Sequence, residues 1–297
     1  MPNETGISWC DYTSNPVKYH DASGKDVWAC VKVSAGCKHC YAEALALRFD
    51  RGKAFTPTNM AGVTPYLDEK ELKSLLTSKK IAGKKVFIGD MTDVAGSWVP
   101  DDMLDRLFAV FALRPDVVFQ VLTKRPERMA DYLSSRSRSA RFWKDAARQS
   151  GYSLEFEGIS LVPFPLPNVW IGTSVENQQA ADERIPHLLK CPAAVRFLSL
   201  EPLLGPVNLA VAHLDGDAPS AGTLRWTGEG VGIDWVVVGG ESGPRHRPME
   251  VAWADSLVER CKAAGVPVWV KQDSGKKPGQ RGRLSLPVWE TKEFPAT

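Results

Sequence analysis

Six short apolar runs, KKVFI, VVFQVL, NVWIG, VRFLSL, IDWVVVGG and VPVWVK, recur along the chain, and each ends in a polar cluster. Continuous apolar runs of about four to six residues are the signature of a parallel strand covered on both faces. Between them apolar residues repeat at helical spacing over 100–113, 180–189 and 250–264, and a further helix is expected over 42–49. Strands alternating with helices imply right-handed βαβ units and so an α/β fold with a parallel sheet or barrel. Residues 7–9 would supply a first strand. At 297 residues, one large barrel-like domain over 1–275 accommodates all of these, with 276–297 as a poorly ordered C-terminal extension. Residues 19–26, 134–159 and 208–232 read as surface loops or insertions.

In such folds ligands bind at the carboxyl ends of the strands, so the residues after each run are the ones to read for chemistry. They are Asp90 and Asp93; Thr123, Lys124 and Arg125; Thr173, Ser174, Glu176 and Asn177; Ser199 and Glu201; Glu241 and Ser242; Lys271, Gln272 and Asp273. A structural turn does not require ionisable groups at nearly every strand end; a polar pocket does. The glycines of Gly239–Gly240 are explained by a tight turn as well as by a cofactor loop.

The stretch WACVKVSAGCKHCYAEALALRF places Cys30, Cys37 and Cys40 immediately before the helix expected over 42–49. The chain has six cysteines, and no basic n-region or apolar h-region precedes them, so three disulfides are the weaker reading and metal or redox chemistry the stronger. Cys191 and Cys261 read as buried small hydrophobes. A structural zinc site closes a tetrahedron with four protein ligands; three thiolates leave a position open, as does a cubane iron–sulfur cluster held by three cysteines. A zinc site completed by Cys10, His20 or His39, in a non-catalytic nucleic-acid-binding protein, is the alternative from another class.

The C-x6-C-x2-C loop followed by an aromatic residue resembles the cluster loop of radical S-adenosylmethionine enzymes, whose common spacing is C-x3-C-x2-C. The phrases TGISWCDYTSNPV, KVSAGCKHCYAE, VLTKRPERM, NVWIGTSVENQ, RFLSLEPLLGPV, DWVVVGGESGPRHRPM and GVPVWVKQ, in that order, resemble a phage-associated three-Cys-motif family. That family is similar to radical S-adenosylmethionine enzymes, with spore photoproduct lyase a distant relative. Residues 18–29 are extra relative to that pattern.

The resemblance implies a parallel-stranded partial (β/α) barrel of the radical S-adenosylmethionine type. Cys30, Cys37 and Cys40 would ligate a 4Fe-4S cluster that cleaves S-adenosylmethionine to a 5′-deoxyadenosyl radical. Tyr41 would lie against cluster or adenine. Asp90, Asp93, Ser174, Glu176 and Glu201 would accept from the cofactor's ammonium and ribose, and Lys124 would take its carboxylate. Arg125, Glu241 and Lys271 are left for substrate. GDMTD stands where the superfamily's GGE-like motif normally falls. The implied partners are a reductant protein and, as substrate, a base or nucleotide of DNA or RNA.

The net charge of +2, from 37 basic and 35 acidic residues, supplies no global field for a polyanion. Nucleic-acid contact would rest on local patches: Lys124, Arg125 and Arg128; the SRSRSAR run; Arg245, His246 and Arg247. No run of 18 apolar residues appears, so the chain reads as cytoplasmic, in a bacterial or phage-infected cell, with no membrane partner.

Overall fold

The computed structural model describes residues 2–136, 141–151, 163–209 and 232–296. It is a mixed α/β fold whose strands are mostly parallel, divided into two compact units. One holds Met1–Val33, Cys40–Trp170 and Pro192–Ala194, the other Ser34–His39, Ile171–Cys191 and Val195–Thr297. Parts of the insertions expected over 134–159 and 208–232 lie outside the described residues.

In the first unit, β1 (Asn3–Glu4), β2 (Tyr12–Ser14), β6 (Lys85–Ile88) and β7 (Val118–Thr123) form sheet in the order β1-β2-β6-β7, with β2, β6 and β7 parallel. Residues 7–9, expected as a strand, form a turn instead, closed by the Cys10 N–H on the Ile7 carbonyl at 3.2 Å. The cause is visible in the side chains: Trp9 turns inward and its ring packs on Phe87 at 4.9 Å.

Two helices of this unit show how local sequence sets element limits. Helix Glu69–Thr77 begins at Asp68, whose carboxylate accepts from the N–H groups of Lys70 and Glu71. Helix Asp101–Leu113 carries Asp101 and Asp102 in its first turn, where acids complement the helix dipole. It ends at Arg114, whose guanidinium reaches the carbonyls of Leu75 and Leu76 and the carboxylate of Asp116. Its inner face stacks Phe111 on Phe119 of β7 and Phe108 on Trp143 of helix Arg141–Gln149.

Residues 19–26, expected as a polar loop, are half strand, with a tight turn between. β3 (Val17–Asp21) and β4 (Asp26–Val27) form a hairpin turned at Gly24, whose φ of +81° suits glycine, and β5 (Val63–Leu67) pairs on the other side of β3. The alternation in VKYHD explains it: Val17 and Tyr19 are buried while Lys18 and His20 are partly exposed.

In the second unit β8 (Val169–Ser174, of which Ile171 onward belongs here), β9 (Val195–Leu200), β10 (Trp235–Gly239) and β11 (Val268–Gln272) follow in the order β8-β9-β10-β11, with β9, β10 and β11 parallel. β8 and β10 are buried throughout, as their unbroken apolar runs require. Helices Gln178–Lys190 and Val251–Ala263 fall within two residues of the sequence expectation.

The C-terminal segment is not a loose tail. Arg283 binds the Asp273 carboxylate through its backbone N–H, Nε and Nη2. Leu284 is buried, and Phe294 packs on Trp235 and Trp269. Its Pro and Gly content masks these few anchoring side chains. Among the described residues, no helix is long and apolar enough to cross a membrane.

Candidate functional site

None of the six cysteines is in a disulfide; Cys30, Cys37 and Cys40 are partly exposed, while Cys191 and Cys261 are buried. Cys30 and Cys40 belong to the first unit and Cys37 to the second.

In the first unit, Cys30 and Cys40 pack with Trp28 against an apolar cluster of Ala42, Ala46, Phe55 and Met91. Cys40 is the N-cap of α1 (Tyr41–Arg48). The backbone on both sides of Cys30 is clamped by residues from strand ends. Thr92, beyond β6, donates to the Ala29 carbonyl at 2.8 Å, and Arg125, beyond β7, donates through Nη2 to the Val31 carbonyl at 2.8 Å.

Each clamp is itself fixed. The Tyr19 hydroxyl lies 2.8 Å from Thr92 Oγ1 and accepts from Trp98 Nε1, and the Arg125 guanidinium lies over the Trp98 ring. Asp93 is buried and accepts from Thr123 Oγ1, the Lys124 N–H and Arg125 Nη1. Burial, reinforced by the Asp93 carboxylate and opposed by Arg125, pushes the Cys30 thiol up to about 11. Asp90 accepts from Asn15 Nδ2 and from the Tyr41 hydroxyl, which also reaches the Asp90 carbonyl at 2.6 Å. Burial raises the Asp90 carboxyl against these hydrogen bonds.

In the second unit, Cys37 ends a short 3-10 turn, Ala35–Cys37, held from three directions. The Gly36 N–H donates to Glu176 Oε1 at 3.2 Å, and a Cβ at Gly36 would stand 3.2 Å from the Glu176 carboxyl carbon. Arg247 Nη1 donates to the Ala35 carbonyl at 3.0 Å. His39 Nδ1 lies 3.0 Å from Glu241 Oε2. Both carboxylates are braced: Glu176 by Arg184 at 2.9 Å, which also bonds the Ser174 carbonyl, and Glu241 by the backbone and guanidinium of Arg247. Burial works to raise the Glu241 carboxyl, but the bonds from Arg247 and His39 outweigh it and hold it down at about 2.

Glu201 and Lys271, at the ends of β9 and β11, pair at 2.6 Å. Gly239 at the end of β10 packs beside them: a Cβ there would meet the Glu201 carboxyl at 3.6 Å and Lys271 Cβ at 3.4 Å, ordinary contact distances.

The strand-end residues read from sequence are therefore brought into two groups in the first unit and three in the second: Tyr41 with Asp90, and Asp93 with Lys124 and Arg125, in the first; Ser174, Glu176 and Arg184, then Glu241 with His39, then Glu201 with Lys271 in the second. The sequence reading missed Thr92, Arg184 and the anchoring use of Arg247. Thr92 lies inside GDMTD and was open to view, whereas nothing in a helix marks Arg184 as the partner of a strand end eight residues back.

Among the described residues, no three or more His, Cys, Asp or Glu side chains stand together as a metal site. The fit of a cluster rests on donor chemistry: three thiols outside any disulfide, of which Cys37 and Cys40 are kept by the chain within about 11 Å of each other at Cα. Of the other candidate ligands, His20 stacks on Tyr66 at 4.0 Å beside Asp26, Cys10 Sγ reaches the Ile7 carbonyl, and His39 is engaged with Glu241.

Fold and site together define a mixed α/β protein whose strand-end polar residues hold the backbone of a three-cysteine loop. Over residues 4–285 the chain belongs to DUF5131, a family of proteins of unknown function. No curated protein and no solved structure matches it.

Proposed function

We propose that the protein is a radical S-adenosylmethionine-type enzyme on a partial (β/α) barrel, phage-associated, acting on a nucleic-acid base or nucleotide and reduced by a partner protein. The observation that carries the reading is the treatment of the C-x6-C-x2-C loop. Thr92 and Arg125 fix the carbonyls on either side of Cys30, and Glu176 and Arg247 fix the two residues before Cys37. Ligand-bearing loops are ordered by such outer contacts, which orient donors without touching the metal.

Bound by Cys30, Cys37 and Cys40, a 4Fe-4S cluster would pass one electron to S-adenosylmethionine and break its sulfur–carbon bond, giving methionine and a 5′-deoxyadenosyl radical. The chain's own residues then have defined tasks. Trp28, Phe55 and Met91 exclude water around Cys30 and Cys40. Tyr41 and Asp90 offer a hydroxyl and a carboxylate beside the first-unit thiols. Lys124 offers a cation, and Ser174, Glu201 and Lys271 offer polar groups at strand ends for cofactor and substrate. The substrate class rests on analogy of fold and family.

Protein purified without oxygen is expected to be brown and to contain about four irons per chain, lost together when Cys30, Cys37 or Cys40 becomes Ala. With a reductant and S-adenosylmethionine it should release 5′-deoxyadenosine. Colourless protein with stoichiometric zinc refutes the proposal.

A further inference from the structure

Among the described residues six large apolar side chains are exposed, and five of them, Val33, Tyr41, Leu45, Leu47 and Phe49, fall within one stretch of the first unit. α1 turns Ala42, Glu43 and Ala46 inward. Its outward face carries Tyr41, Leu45 and Phe49 at i, i+4 and i+8, with Arg48 among them. Phe49 is 63% exposed and lies under the Arg48 guanidinium at 5.5 Å from the ring centroid. A surface helix normally shows water its polar face; a clustered apolar one marks a docking surface.

Charge says what docks there. Over residues 40–55 the bases are Arg48, Arg51 and Lys53 and the acids Glu43 and Asp50. Both acids are already neutralised by lysines from outside the stretch, Glu43 by Lys32 and Asp50 by Lys25. Arg48, Arg51 and Lys53 have no carboxylate partner among the described residues. The cations that stand out in the sequence are spent internally: Arg125 on Asp93, Arg128 on Asp101, Arg247 on Glu241. Three uncompensated cations also disfavour a second copy docking face to face on the same patch.

We infer that this face of α1 binds single-stranded nucleic acid, its bases stacking on Phe49 and Tyr41 and its phosphates meeting Arg48, Arg51 and Lys53. Exposed aromatic rings, one of them beside an arginine, with two further exposed cations a few residues on in the chain, are the elements of a stacking platform for unpaired bases. The inference stands or falls separately from the metal reading, because Phe49, Arg48, Arg51 and Lys53 have no part in that reading and binding is measured without S-adenosylmethionine.

The test is fluorescence anisotropy of the full-length protein with a labelled oligothymidylate of about 12 nucleotides. Three phosphate contacts at a slope of about −0.7 each give a log–log salt slope of about −2, so affinity should fall about 20-fold between about 50 and about 200 mM salt. Arg48→Glu with Arg51→Glu should cut the slope to about −0.7. Phe49→Leu keeps an apolar side chain but removes the ring and should weaken binding about tenfold; exposure of the site means the thermal transition of that variant should match the parent. Absence of binding at low salt overturns the inference, as does an unchanged affinity for Phe49→Leu. Equal competition by polyglutamate at matched charge also overturns it, and would assign the face to an acidic protein instead.

Discussion

Arg184→Met isolates the bracing of the cysteine loop from any chemistry the loop performs. Glu176 and Arg184 are both buried, with side chains 2% and 7% exposed, and the carboxylate also accepts the Gly36 N–H. Removing the guanidinium strands a buried carboxylate and releases the Ser174 carbonyl, which costs about 3–5 kcal/mol by the usual behaviour of broken buried pairs. At about 2–4 °C per kcal/mol for a chain of this size the transition should fall by about 6–20 °C. Adding Glu176→Gln removes the stranded charge but leaves an amide oxygen for the Gly36 N–H, so the double variant should recover about 2 kcal/mol. Thermal unfolding by circular dichroism on metal-free protein reads both numbers. A single variant within 2 °C of the parent, or a double variant no more stable than the single, would falsify the claim that this pair carries the loop.

Glu241 supplies a pH signature. Its folded carboxyl titrates near 2, below the unfolded value near 4.5, so its stabilisation is complete above about pH 4.5 and fades as pH falls toward 2. The 2.5-unit difference corresponds to about 3 kcal/mol, discounted to about 2 because Arg247 is partly exposed and screened. The stability gap between parent and Glu241→Gln in denaturant titrations should be flat from about pH 7 to 5 and narrow below that; a gap that widens on acidification contradicts the pairing. Glu201→Gln with Lys271→Met should behave differently. That pair is partly solvent-exposed, and neither side chain makes a described bond to a loop, so its loss should change stability by less than about 1 kcal/mol. A drop as large as that of Arg184→Met would show it to be structural.

The six strands β6 to β11 were legible because each is a short, largely apolar run of the right length, and β8 and β10 are buried at every position, whereas β1 and β2, two and three residues long, carry no such run. The small β4-β3-β5 sheet was not, since its hairpin is short, polar on alternate residues and turned at a glycine that reads equally as a loop. The turn at residues 7–9 was misread because Trp9 is apolar in sequence yet packs as a plug on Phe87 rather than along a strand. The C-terminal segment was misread because three anchoring residues, Arg283, Leu284 and Phe294, are diluted among prolines and glycines. Strand-end carboxylates were visible as residues, but which cation each one meets is decided by tertiary packing that no spacing encodes.

That last point changes what the strand ends mean. Polar groups after every strand suggest a pocket lined by free carboxylates, yet most of them already hold backbone in place. Asp93 orients Arg125 toward the Val31 carbonyl, Glu176 and Glu241 hold Ser34–His39, and Asp273 holds the C-terminal segment through Arg283. A carboxylate satisfied by two or three protein donors binds a ligand only by surrendering them, and in a buried setting that exchange is unfavourable. The Glu201–Lys271 pair, partly exposed and joined by a single described hydrogen bond, is less fully committed and retains polar capacity for a small molecule. Its position at the carboxyl ends of β9 and β11 is where open α/β sheets take their ligands. The acids that looked interchangeable in sequence thus divide by their donors into those that shape the cysteine loop and those that can meet what binds beside it.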